Sequence, residues 1–370
     1  MTRFTICLFI SSMFFLCGAF SPLPAGEWKQ ALEQRSWNFP RDHGAHPDYR
    51  TEWWYFTGNL TDNKGDRYGY QLTFFRQGIQ KKLKKRRNSW EVRDVYFAHF
   101  GISDIENKKF RFAERISRTG PGLAGAATDA LNAWCLDWSV RTEKEKTFIS
   151  AGEGGMRLNL RLVPQKPLVI HGKNGLSKKG IRPGQASYYY SFTDLKTNGH
   201  LMTSENNVPI EIKGISWFDH EFGSNQLSDD QTGWDWFSVH LSDGRDLMLY
   251  FLRRRDATLE KASSGTLIEK NGHHRHLALG DIQRKVLGHW TSPASKGRYP
   301  NQWMIKIPSV DIDLRLATMI PDQELRTADS TGIVYYEGAI AGRGTSSGKP
   351  VACEGYVEMT GYAGALGGIF

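Results

Sequence analysis

Asp219 and Glu221 stand two residues apart in WFDHEFGS, with His220 between them. On a strand, that spacing puts both carboxylates on one face, roughly 6 to 7 Å apart, and His220 on the other. The gap admits a water or a substrate atom, so the pair can serve as acid and base. A carboxyl desolvated in an apolar site has its pKa raised and can give up a proton. Downstream, GWDWFSVHL alternates: Trp234, Trp236, Ser238 and His240 share one face, and Asp235, Phe237, Val239 and Leu241 the other. Neither is a plain solvent face. Trp217, Trp234 and Trp236 have the rings to line an apolar cavity, with Asp219, Glu221, His220 and His240 as candidate catalytic groups and Asp235 as a further acid beside the ligand.

A second aromatic strand lies upstream, in RDHGAHPDYRTEWWYFTGNL. Glu52, Trp54 and Phe56 fall on one side and Trp53, Tyr55 and Thr57 on the other, so both sides carry rings. His46, Glu52 and Trp54 join the predicted ligand site. Two histidines, His43 and His46, with Glu52 could be drawn as a metal centre. Their spacing matches no specific zinc pattern, and no CxxC or His/Cys cluster accompanies them, so neither metal nor cofactor is expected. His99, in VYFAHFGIS, reads as a buried histidine bonded to backbone. His273, His274 and His276 read as a loop beside the Asn271-Gly272 turn.

Other motifs fail on context. Gly344-Thr345-Ser346-Ser347-Gly348 fits GxSxG but lies between two strands, and the last histidine of the chain is His289. The order required of an α/β-hydrolase, with histidine after the nucleophile, is therefore absent. Gly348-Lys349 runs into Pro350 and lacks the upstream glycine of a phosphate-binding loop.

The elements that must position these residues are short strands punctuated by turn residues, with scarcely a helical period. One short helix is expected over residues 28–35. Asp243-Gly244 predicts a two-residue type I′ hairpin. Strands at this spacing argue an all-β barrel or sandwich, and 370 residues exceed what one small core needs. The stretch over residues 223–233, rich in Ser, Asp, Asn and Gln, predicts the boundary between domains at 26–225 and 226–370.

Arg3 precedes an apolar run to Phe20, and Leu23-Pro24-Ala25 offers a cleavage site, so residues 1–25 read as a signal peptide. Cys135 and Cys353 are the cysteines beyond that leader and are expected as separate buried thiols. The formal net charge of +9 is concentrated in Lys81, Lys82, Lys84, Lys85, Arg86 and Arg87. A general nucleic-acid surface is therefore not implied, and no nucleic-acid partner is expected. This basic run reads first as a solvated hairpin loop; the functional alternative is attraction to an anionic membrane surface, at about 1 kcal/mol per basic residue.

HPDYRTEWWYFTGNL, AHFGISD, WFDHEFGS, GWDWFSVHLSDG and EGYVEMTGY resemble the bacterial AttH-like proteins, grouped with carotenoid 1,2-hydratases (hydroxyneurosporene synthases) in one lipocalin-like family. The resemblance spans His46 to Tyr362 and implies two tandem lipocalin-like, calycin-type antiparallel barrels. EWWYFTGNL resembles the exported branch, whose members are often labelled predicted secreted hydrolases and occur alongside ABC-type export components. Two functions follow as expectations. One is acid/base hydration of a C=C bond in an isoprenoid or lipid, by Asp219 or Glu221 with the second carboxylate or His240 as base. The other is a periplasmic lipid or lipoprotein carrier doing no chemistry. A secreted hydrolase is weakened by the missing nucleophile arrangement.

Overall fold

The computed structural model describes residues 28–81, 92–203 and 206–366. The leader, and the basic loop beyond Lys81, lie outside the described residues. The fold is all-β, two antiparallel sheets in tandem, each curled into a lipocalin-like barrel. The first runs, in spatial order, Lys109–Arg118, Asp94–Asp104, Arg67–Gly78, Thr51–Asp62, Asn206–Asn225, Ala186–Thr203, Met156–Pro164, Lys146–Glu153, Trp138–Glu143, Asn132–Cys135 and Ala124–Ala126. Its two end strands lie against each other, which hides edges that would otherwise template aggregation. The second runs His274–Ala278, Ser264–Ile268, Asp246–Arg254, Gln231–Leu241, Lys349–Thr360, Ile333–Ser346, Ile312–Thr318, Arg298–Ile307 and Gln283–Thr291.

The rings on both faces of the key strands now have a cause. Trp54, Phe56 and Phe218 point into the first barrel, and Phe237, Val239 and Phe251 into the second. A third buried cluster, with Tyr55, Tyr189, Trp217, Trp236 and Tyr250, lies where the two barrels meet. Thr51–Asp62, Asn206–Asn225 and Gln231–Leu241 are thus walls shared by a barrel interior and the interface. Each large apolar side chain buried there contributes about 1.5–3 kcal/mol.

Polar ties cross the same interface. Tyr55 Oη donates to Glu337 Oε2 at 2.7 Å, and Asn59 Nδ2 to the Gly355 carbonyl at 3.0 Å. Lys166 Nζ reaches Asp246 Oδ2 at 2.6 Å, with Thr193 and His240 completing the carboxylate. Removing one partner of a buried pair leaves an uncompensated charge. Lys166→Met is therefore expected to lower stability by about 3 kcal/mol, read by urea unfolding; a change below about 1 kcal/mol would refute the tie.

Three local expectations are corrected. Residues 28–35 form an irregular arm, held where Lys29 N–H bonds to the Asp48 carbonyl and Tyr188 Oη to that of Glu33. Those bonds outweigh an eight-residue helix, which is marginal alone. At the hairpin, Gly244 has φ +89° while Asp243 does not enter the positive region. Leu241 N–H bonds to the Arg245 carbonyl, and Asp243 Oδ1 takes the Arg245 N–H, so the loop has three residues rather than two. Trp134 to Arg141 reads by its alternation as one strand, but the chain there is a hairpin broken at Leu136, whose φ is +56°. Cys135 and Cys353 are free and buried.

Candidate active site between the barrels

A partly open cavity of about 100 Å³ lies between the barrels. Its floor is the outer face of the first barrel, where strand register lines residues up in two rows. Asp219, Tyr55, Thr73 and His99 are successive cross-strand partners, as are Glu221, Trp53, Phe75 and Phe97. Neighbouring strands are about 4.8 Å apart, so each row extends about 14 Å from a carboxylate at one end to rings at the other. Trp234, Trp236, Tyr250, Leu252, Ile333, Tyr335 and Glu358, from the second barrel, form the roof.

The acid end is densely bonded. Asp219 accepts from Tyr189 Oη at 2.6 Å, from Trp217 Nε1 at 2.6 Å and from the Ser191 hydroxyl. Burial is the largest influence on it and outweighs those donors, so its pKa is pushed up to about 7. Across the cavity Glu358, half-buried at the cavity wall, takes a hydrogen bond from Trp234 Nε1 at 2.9 Å. Burial, with the negative charges of Glu221 and Asp219 behind it, likewise pushes its pKa up to about 7.

Lys179 Nζ lies 2.8 Å from Glu221 Oε1 and 4.4 Å from the centre of the Tyr250 ring. Burial alone would lower its pKa, but Glu221 and Tyr250 hold it above the ordinary value. Glu221 also receives the Ser187 hydroxyl. At the far end His99 is kept neutral: burial lowers its pKa to about 3. It contacts Tyr335 Oη at 2.7 Å and Ser330 Oγ at 2.9 Å, side-chain hydroxyls rather than the backbone partner expected. Two acids titrating near neutrality thus face each other across an aromatic cavity, an arrangement suited to proton transfer.

Of the candidate catalytic and ligand-binding residues read from the sequence, Asp219, Glu221, Trp234 and Trp236 line this cavity, and His99, read there as a buried histidine, lines it too. Trp217 is fully buried behind it and holds Asp219 in place. The others lie elsewhere. His46, Glu52, Trp54 and His220 meet on the opposite face of the same strands, inside the first barrel. There Glu52 Oε1 accepts from His46 Nδ1 at 2.8 Å and from His220 Nε2 at 2.9 Å, and Trp54 Nε1 donates to the His43 carbonyl. Strand alternation makes this unavoidable, since Glu221 and His220 cannot share a face. His46, Glu52 and His220 are close enough to hold an ion, but Arg76 Nε already lies 3.0 Å from Glu52 Oε2. A guanidinium on the carboxylate and ring N–H groups aimed at it make a satisfied hydrogen-bond network.

Asp235 points into the second barrel, paired with Arg253 at 3.1 Å and Arg284 at 2.6 Å. His240 faces the interface but bonds to Asp246 at 3.0 Å, outside the cavity. Lys179, Tyr189 and Glu358 were not singled out from the sequence. A signal existed for Glu358: in CEGYVEMTGY the positions 353, 355, 357 and 359 carry the barrel interior, which leaves Glu358 and Thr360 on the other face. Nothing local marked Lys179.

Two lipocalin-like barrels enclosing an acid-lined apolar cavity define the class of protein. The chain belongs to the AttH-like family, matching it over residues 30–362. It is 30% identical to a crystallised protein assigned as AttH (NE1406) from Nitrosomonas europaea, with a TM-score of 0.80 over 90% of this chain and 99% of that one. Kievitone hydratase from Nectria haematococca shares the fold at 16% identity and TM-score 0.68, over 91% of this chain and 98% of that one. CghA does so at 10% and 0.52, over 85% and 88%. No curated protein matches the sequence.

Proposed function

We propose that the protein adds water across a carbon–carbon double bond near the end of an extended hydrophobic molecule of isoprenoid type. The observation that carries this reading is the pair Asp219 and Glu358, both with pKa raised to about 7 and facing one aromatic cavity. The roughly 14 Å rows suit a linear apolar ligand whose double bond lies at the acid end and whose tail runs over Phe75 and Phe97. The fold shared with kievitone hydratase agrees with it.

Protonated Asp219 gives its proton to the less substituted alkene carbon, and the π electrons form the new C–H bond. The tertiary cation left behind sits against the faces of Trp234 and Trp236, where ring quadrupoles stabilise positive charge. Water attacks that carbon, and Glu358 in its ionised form takes the released proton. Glu358 suits this role because a base works best with a pKa near the operating pH, while Glu221 is engaged by Lys179 and Ser187. The net reaction is alkene plus water to tertiary alcohol, with the proton passing back from Glu358 to Asp219 between turnovers.

The test is incubation of purified protein with geranylgeraniol in deuterium oxide, with mass analysis of the product. Expected is a tertiary alcohol carrying one carbon-bound deuterium. Bound but unaltered lipid would sink the hydratase reading and leave a carrier. Glu358→Gln is expected to lower kcat about 10²-fold or more with little change in binding, and to remove the acid limb of the pH–rate profile, which needs Glu358 ionised. The leader and the basic segment 81–87 support an exported protein that meets its ligand at an anionic membrane surface.

A further inference from the structure

The donors to Asp219 are themselves directed, and both lines of direction lead to the second barrel. Tyr189 Oη accepts from Trp236 Nε1 at 3.1 Å while it donates to Asp219 Oδ2. Ser191 Oγ lies 2.7 Å from His171 Nε2 while its hydroxyl donates to Asp219 Oδ1. His171 Nδ1 in turn lies 2.9 Å from Thr266 Oγ1. His171 is buried, its ring centre 4.3 Å from that of Tyr189 and tilted 35° to it. Burial, with His274, Lys179 and His276 nearby, keeps it neutral.

A neutral imidazole has one N–H and one acceptor nitrogen. Since the Ser191 proton goes to the carboxylate, Ser191 Oγ is the acceptor of His171 Nε2–H, and His171 Nδ1 therefore accepts from Thr266. The chain of donors has a single direction: Thr266, His171, Ser191, Asp219. Asp219 Oδ1 is then filled by Ser191 and Trp217, while Oδ2 takes only Tyr189. The free position for a proton is on Oδ2.

We propose that His171, oriented by Thr266 of the second barrel, is a positioning residue for Asp219: it keeps the Ser191 hydroxyl aimed at Oδ1, so that the acidic proton resides on Oδ2 and faces the cavity. This rests on reading Asp219 as the acid. Docking of the second barrel thereby completes the acid carried by the first. The other charged groups facing Asp219 are Glu221 on its own strand, Lys179, and Glu358 from the roof; the two ring nitrogens of His171 are taken by Thr266 and Ser191, so His171 acts on Asp219 through the Ser191 hydroxyl.

The experiment is a titration of Asp219 in the full chain by carbon-13 NMR of labelled aspartate carboxyls, with Asp219→Asn assigning the signal. Ser191→Ala removes a donor to the ionised form and is expected to raise the midpoint by about one pH unit. His171→Phe is expected to raise it by part of that amount, and to add nothing in the Ser191→Ala background. His171→Gln, whose amide N–H replaces Nε2–H, is expected to restore it. Thr266→Val provides a second variant at the far end of the chain and is expected to move the midpoint upward as well. An equal shift from His171→Phe in both backgrounds, or none in either variant, overturns the proposal. The titration needs no substrate: if the shifts occur and geranylgeraniol is not hydrated, the positioning stands and the hydratase reading alone falls.

Discussion

Asp219→Asn is expected to abolish hydration and, above neutral pH, to make the protein more stable than wild type. The asparagine keeps the shape and still accepts hydrogen bonds, but it has no acidic proton to give. Loss of a general acid lowers kcat by about 10²–10⁴-fold. Ligand binding, read by quenching of the cavity tryptophans, should change little, because Trp53, Trp234 and Trp236 remain. The stability half follows from linkage. The folded-state pKa of Asp219, about 7, is above its ordinary value of 3.8. Its contribution is therefore fully present below about pH 4 and is lost as pH rises through about 7. At pH 8 the wild type must hold a buried carboxylate against desolvation, and the variant need not. Urea unfolding of both proteins between pH 5 and 9 measures this. A variant that retains turnover would remove Asp219 from the chemistry, and stability curves that stay parallel across the range would show that the carboxyl is not strained by burial.

Arg76→Met is expected to produce the largest loss of stability. Arg76 is buried and donates to Glu52 Oε2 at 3.0 Å, to Asp94 Oδ1 at 2.9 Å, and to the His46 and Tyr49 carbonyls at 3.0 and 2.7 Å. Burial opposes its charge, but Glu52 and Asp94 hold its pKa above the ordinary value. Methionine fills the volume and leaves two buried carboxylates without their cation, which costs about 3–5 kcal/mol. Arg76→Lys should recover little, since a point charge cannot reproduce four directed N–H bonds. Glu52 adds a pH signature. Burial works against its charge, yet His46, His220 and Arg76 hold its pKa well below the ordinary value of 4.5. The stability it contributes is present above that value and is lost as pH falls toward and below it. Arg76→Met should flatten this acid limb. A loss under about 1 kcal/mol would mean that the network carries no net stabilisation.

These two variants separate groups that look alike in the sequence. Glu52 and Glu221 each sit beside aromatic residues in a strand, and the same alternation rule applies to both. In each strand both faces are buried, one against a barrel interior and one against the other barrel, so polarity could not say which face meets a ligand. His46, Glu52, Trp54 and His220 fell on the interior face and serve stability. Trp53, Tyr55, Asp219 and Glu221 fell on the interface and line the cavity.

Local rules were sufficient for most of the strands, the positions of most turns, the all-β class and the shared face of Asp219 and Glu221. All of these depend on neighbours within a few residues, where the two-residue period and turn chemistry act. The resemblance in the aromatic motifs carried the tandem barrels and the family. What only the tertiary structure decided is which face is which and who meets whom: Glu358 opposite Asp219, Lys179 on Glu221, and His171 behind Ser191. Those partners are separated along the chain by 139, 42 and 20 positions. The first meeting depends on the docking of one barrel against the other, the second and third on the pairing of residues 169–178 with Ala186–Thr203 in the first sheet, and the raised pKa values of Asp219 and Glu358 follow from the water that burial between the barrels excludes.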